Sequence, residues 1–353
     1  MLFLNKLYIL FIILSLNIFF FSTTNVSAKS FEINEIEVSK PFENNFNKNE
    51  VIDLGFDKAF FELLNILIRS SDMKKINNVK LNEIKAMIDS FSIKEEKFID
   101  QTYYVNLGVS FNKKKIFNYL ERNNIFPSQT IKEKFLFIPV IINENENTLN
   151  IFSDNLIYKN WKKFDKKYYL IDYVMPTEDL EDLTIIKKNY EIIEEYNFKE
   201  IIQKYFLENS IITLIFKNKD DLRVLSKIVT KNEVVIKNNT FKDFDLKNEE
   251  KIELLINNLK IIYEDVWKDY NQINTSIKLP LIIRINNDNS TTLSDFEMIL
   301  DKMDLVNDYS ITKFNNNHIF YKIIFNGTSI NFLNFMKDKN YEFDIQKKVW
   351  VLK

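Results

Sequence analysis

Between residues 279 and 352 the apolar side chains change period in a set order, and few compact plans absorb that order. A strand-like run at 281–285 leads to a helical stripe at 293–303. Strand patterns follow at 309–314 and 319–325, then a second helical stripe at 330–336 and a closing strand from Tyr341. The order β-α-β-β-α-β predicts the ferredoxin-like plan, with two helices on one face of a sheet. Local chemistry at the junctions fits. Ser294 with Glu297 reads as a capping box ahead of Phe296, Ile299, Leu300 and Met303. Asn315, Asn316 and Asn317 suit a hairpin turn, and Gly327-Thr328-Ser329 breaks a strand and offers a hydroxyl to the next helix. Residues 341–352 read either as one strand or as a hairpin around Gln346, Lys347 and Lys348.

The preceding chain reads as smaller sheet-plus-helix modules, so the fold class expected is α+β with an α/β middle. An N-terminal α+β domain is expected over 29–130, a middle α/β domain over 131–275, and the ferredoxin-like domain over 279–353. In the first, Phe31, Ile33, Ile36 and Val38 predict a strand closed by Pro41, followed by a polar loop to Glu50, an amphipathic helix over 56–69 and a weaker one over 81–91. Tyr103, Val105, Leu107, Val109 and Phe111 then alternate without a miss, as a half-buried strand does. A helix carrying Ile116, Phe117 and Leu120 ends near Asn124. In the second domain, strands at 135–142, 168–174 and 211–216 alternate with helices at 179–189 and 198–206, the first helical stretch being capped by Ser153. Pro139 cannot donate to a ladder, so its run is expected at a sheet edge or at a bulge. A hairpin over 222–237 and a long apolar-striped helix over 248–270 complete the layer, and Pro280 marks the next boundary.

The order of exported leader, strand, helix ending in Leu67-Ile68-Arg69-Ser70, alternating strand 103–111, short helix and Phe135-Leu136-Phe137-Ile138-Pro139-Val140 resembles a proteobacterial family of exported proteins catalogued only as a domain of unknown function. The resemblance extends to Gly327-Thr328-Ser329 before a Leu-bearing helix. It implies an architecture and an address. It brings no activity and no catalytic residues.

Residues 1–28 read as a secretory signal peptide, with Lys6 ahead of an uncharged apolar run and with Val26 and Ala28 as the small residues at a signal-peptidase site. The competing reading is an uncleaved inner-membrane anchor, since the uncharged run approaches the about 20 residues that a span needs. The expected address is the periplasm. With no cysteine, an exported chain of this kind is stabilised by packing without disulfides. Lysine plus arginine number 48 against 50 acidic residues, so no global field attracts nucleic acid.

Scarcity narrows the chemistry further. The three glycines, Gly55, Gly108 and Gly327, are too far apart for a phosphate-cradling loop or a dinucleotide fingerprint. The single histidine, His318, sits beside the Asn turn, and without cysteine neither a His/Cys zinc site nor a Cys-His dyad can form. No catalytic, cofactor-binding or metal-ligating residue is expected. Glu178, Asp179, Glu181 and Asp182 crowd a helix start, where acidic side chains stabilise the first turn. Lys159, Lys162, Lys163, Lys166 and Lys167 around Trp161 form a candidate polyanion patch, against the alternative of a solvated lysine face with Trp161 turned inward. The function expected is that of a non-catalytic adaptor, scaffold or envelope-assembly factor bound to another envelope protein, with membrane contact only through the leader or weak peripheral binding. A carboxylate-dependent envelope hydrolase and a lipid- or polyanion-binding module are the alternatives.

Overall fold

The computed structural model describes residues 30–76, 78–287 and 290–353; the leader and the sites at Val26 and Ala28 lie outside these residues. It has an α+β fold of three sheets with packed helices.

The first unit begins with β1 (Ser30–Pro41) and α1 (Lys48–Leu67). Asn47 caps α1 by accepting from the Asn49 amide, so the helix starts before the polar loop was expected to end. After a short helical turn, Ser70–Met73, come α2 (Leu81–Met87), β2 (Ile88–Ile99), β3 (Thr102–Asn112) and α3 (Lys113–Arg122). The helix expected over 81–91 stops at Met87, and a twelve-residue strand missing from the sequence reading follows it. The strand order is β1-β3-β2, antiparallel throughout. The buried face of β3 packs on α1. At Gly55, α1 comes so close that an added Cβ would lie 2.3 Å from a methyl of buried Leu107.

The middle unit contains β4 (Glu133–Asn143), β5 (Thr148–Asn150), α4 (Leu156–Asn160), β6 (Ile171–Val174), α5 (Leu180–Lys188), α6 (Lys199–Gln203), β7 (Ser210–Asn218), β8 (Asp221–Val229), β9 (Val234–Phe241) and α7 (Glu249–Tyr270). Its sheet runs β5-β4-β7-β8-β9, with β6 also paired to β4. The parallel pairings expected are β4 with β6 and β4 with β7. The strand bearing Pro139 lies inside this sheet, without the edge position or bulge expected of it. Pro139 is tolerated because it falls opposite the gap between β5 and β6, where no partner strand asks for its missing N–H. Asn155, fully buried, fills that gap: its amide donates to the Pro139 and Asn150 carbonyls, while its Oδ1 accepts from the Ile157 and Tyr158 amides and caps α4. Asn155 therefore holds the capping role expected of Ser153, whose own amide donates to Glu178. Both sheet faces are covered, α7 lying on one. Tyr263 of α7 reaches the sheet, where its buried hydroxyl bonds Thr213 of β7 and Ser226 of β8.

The last unit is β10 (Leu279–Asn286), α8 (Ser290–Lys302), β11 (Val306–Phe314), β12 (His318–Phe325), α9 (Ser329–Asp338), β13 (Phe343–Asp344) and β14 (Trp350–Leu352). The β-α-β-β-α-β order is present, closed by a hairpin. A single strand after α9 would run antiparallel to β10. The reversal between β13 and β14 instead seats β14 beside β10 in parallel, giving the order β11-β12-β10-β14-β13. Asn315 makes the expected turn by accepting from the Asn317 and His318 amides, and Thr328 caps α9. Ser294 does not cap: α8 starts a turn earlier, which places Ser294 inside the helix, and Glu297 accepts from the Tyr321 hydroxyl.

The two linkers between units lie side by side. Gln129 donates to Asn271, and Ile273 donates to Pro127.

Candidate functional site

Two places gather the features of a working surface. One is a cleft of about 460 Å³ where the three units meet. Phe31 and Ile33 of β1 and Glu62, Leu63 and Ile66 of α1 form one wall. Tyr168 and Leu170 form another, and Asp301 and Asp304 at the end of α8 form the third. Lys113, the first residue of α3, is buried in it and bonds Asp304 at 3.0 Å; Asp304 also accepts from the Thr130 amide and hydroxyl. Burial pushes the Lys113 ammonium down from its ordinary value, against the pull of Asp304. Burial would raise Asp304, but the Lys113 charge and the bonds from Thr130 and Lys113 outweigh it and hold the carboxyl below the usual range. Lys113 and Asp304 therefore neutralise each other, and the pair ties the first unit to the last. Glycoside hydrolysis asks for a carboxyl raised toward neutrality facing a second carboxylate. Burial does raise Glu264, but that residue accepts the Leu170 and Ile171 amides and takes no part in the cleft wall.

Glu264 belongs to a line of buried charges on α7 that the apolar stripe concealed: Lys260, Glu264 and Lys268, four residues apart. Lys260 sits over the rings of Trp161, Tyr169 and Tyr173 and pairs with Asp165; Lys268 donates to the Asn65 carbonyl of α1. Each ion is satisfied by a neighbour from a different segment, which gives these residues a binding role within the fold.

The second place is β2. Among the described residues it has β3 on one side and no strand on the other, and it is exposed from Asp89 to Ile99. Phe91, Ile93, Phe98 and Ile99 are 47, 38, 58 and 50% exposed. Phe91 packs edge-on against Phe56 of α1, and Phe98 against Phe42. A two-residue turn, Asp100-Gln101, both at positive φ, joins β2 to β3. In such a hairpin the flanking pair Ile99 and Thr102 exchange both backbone bonds, so the amides of Glu96 and Phe98 point away from β3. The edges at β9 and β11 also expose apolar residues, Val234 and Ile236 on one and Ile311 and Phe314 on the other. Neither carries as many as β2.

The residues singled out from sequence are dispersed. Lys159, Lys162, Lys163 and Lys166 are exposed, and Lys167 pairs with Glu35 of β1. Trp161 is fully buried, stacked on Phe137 with centroids 3.8 Å apart, so the lysines have no surface indole among them. Lys204 joins the acidic group at Asp179, Glu181 and Asp182, with Asp179 also capping α5. His318 is the first residue of β12, half-buried at the hairpin. No helix among the described residues is long and apolar enough to cross a membrane. No family model matches the chain, and no curated protein matches it either.

Proposed function

We propose that this is an exported, non-catalytic scaffold or adaptor protein whose working surface is the free edge of β2, which takes up a strand from a protein partner. The observation that carries the reading is a twelve-residue edge strand exposed along its length, with apolar side chains on it. A strand added there would gain backbone hydrogen bonds from the edge and apolar contact from Phe91, Ile93 and Phe98. Export rests on the leader-like residues 1–28. The cleft supports the same reading, since Lys113 and Asp304 in it pair with each other and join the first unit to the last.

A photo-crosslinking side chain at Phe98 tests this in the full chain expressed in cells, with the same group at Phe206, the 94% exposed apolar side chain of the middle unit, as control. A discrete crosslinked species from position 98 and none from 206 is expected. Silence at 98, or equal crosslinking at both, would remove the edge as the working surface.

A further inference from the structure

We infer that the strand taken up by β2 is the β2 of a second copy of this chain, paired antiparallel about a two-fold axis between Lys94 and Glu95. The inference rests on the open-edge reading above and names the partner.

The bulge in β2 limits the pairing. Phe91 and Ile93 stand opposite Val109 and Leu107 on the core side of β3, and beyond the extra residue Lys94 the core side passes to Glu96 and Phe98, opposite Val105 and Tyr103. Because the phase slips by one residue, two copies keep core side with core side only in registers whose residue numbers add to an odd total. Three such registers place the axis near the middle of the strand. With the axis between Glu95 and Glu96, Lys94 would oppose Lys97 and Glu95 would oppose Glu96, each twice. With the axis between Ile93 and Lys94, Phe91 would oppose Glu96 twice.

The register about Lys94 and Glu95 sets no like charges opposite each other along β2 and brings the phenylalanines together. Lys94 opposes Glu95 of the second copy, and Glu95 opposes its Lys94. Phe91 opposes Phe98 and Phe98 opposes Phe91, giving two cross-strand aromatic pairs on the core side. Ile93 opposes Glu96, and Ser92 opposes Lys97. The outward amides match as well. Glu96 and Phe98 point theirs away from β3, and since β3 keeps its alternation past the bulge, so do Phe91 and Ile93. Outward groups therefore meet outward groups along the whole ladder. Lysines and bulges on an edge ordinarily repel foreign strands. Here the same devices fit one partner, the strand's own copy.

In the isolated chain Glu95 pairs with Lys97 on its own strand at 2.7 Å, and in the dimer it would exchange that partner for Lys94 across the axis. Charge reversal tests this, with mass measured by sedimentation or light scattering across a concentration series. The full chain should form dimers. Lys94→Glu alone and Glu95→Lys alone each place like charges across the axis twice, and each should raise the dimer dissociation constant about tenfold or more. The double variant Lys94→Glu/Glu95→Lys should dimerise like the starting chain, and an equimolar mixture of the two single variants should form a heterodimer. A dimer indifferent to all of these substitutions would overturn the register and the inference with it. A chain that stays monomeric would overturn it too, and crosslinking at Phe98 then separates the two claims. A product of another mass keeps the open edge and removes the second copy, whereas no product removes both.

Discussion

Asn155 shows how much one polar side chain decides in this molecule. It stands in for the strand missing between β5 and β6, makes the Pro139 carbonyl acceptable in the interior and starts α4. Replacing it with alanine leaves buried carbonyls and amides without partners, each costing about 1–3 kcal/mol. Asn155→Ala should lower unfolding stability by about 3 kcal/mol in denaturant titration, and Asn155→Asp, which keeps the cap but sets a buried carboxylate oxygen against the Pro139 and Asn150 carbonyls, should fall at least as far. Equal stability of all three proteins would show that Asn155 bridges nothing. Pro139 could be placed in a strand from sequence. Its tolerance in the interior could not, because the gap depends on where two short strands stop. The charges Lys260, Glu264 and Lys268 were equally hidden: at four-residue spacing they resemble a solvated helix face, and only the partners Asp165, the Leu170 and Ile171 amides and the Asn65 carbonyl reveal them as buried.

Among the elements, those with local punctuation were legible and β2 was not. The three Asn residues between β11 and β12, the Thr328 cap and the unbroken alternation of β3 each announce their structure within a few residues. In β2 the extra residue at Lys94 shifts the period-2 pattern halfway, so Phe91 and Ile93 fall out of step with Phe98, and the strand's exposure leaves no apolar face to find. Ser294 with Glu297 matched a capping box, but the helix had already begun, which shows that a cap pattern alone does not locate a terminus. The seam between α1 and β3 carries its own prediction. Gly55→Ala adds about 1 kcal/mol of helix propensity, yet its methyl would meet Leu107 in a packed core, where such insertions cost about 1–3 kcal/mol. The variant should melt below the parent protein. A higher melting temperature would mean that α1 does not press on β3 as described.

At the scale of the whole molecule, four apolar cores, two of them on the faces of the middle sheet, are joined by ion pairs as well as by packing. Lys113 with Asp304, Lys114 with Asp308 and Lys278 with Glu121 connect the first unit to the last. The pairs at Lys114 and Lys278 are exposed and contribute little; Lys113 with Asp304 is the buried one. Because Asp304 is held below its ordinary value, its contribution is complete above the unfolded aspartate value of about 3.9 and is lost as pH falls through the folded value. Asp304→Asn should therefore melt well below the parent at pH 7, with the gap closing as both proteins are acidified below about pH 4. A gap that persists in acid would show that packing, and not the ion pair, holds the units together.

The account as a whole depends on β2 offering a free edge that becomes filled, and residue-resolved amide hydrogen exchange reads this directly. In dilute solution the amides of Glu95 and Lys97 should be protected by β3, while those of Glu96 and Phe98 exchange freely. On raising the protein concentration into the dimeric range, Glu96 and Phe98 should slow by at least tenfold. Protection at Glu96 and Phe98 already in dilute monomer, or association that leaves them exchanging freely, would contradict the account.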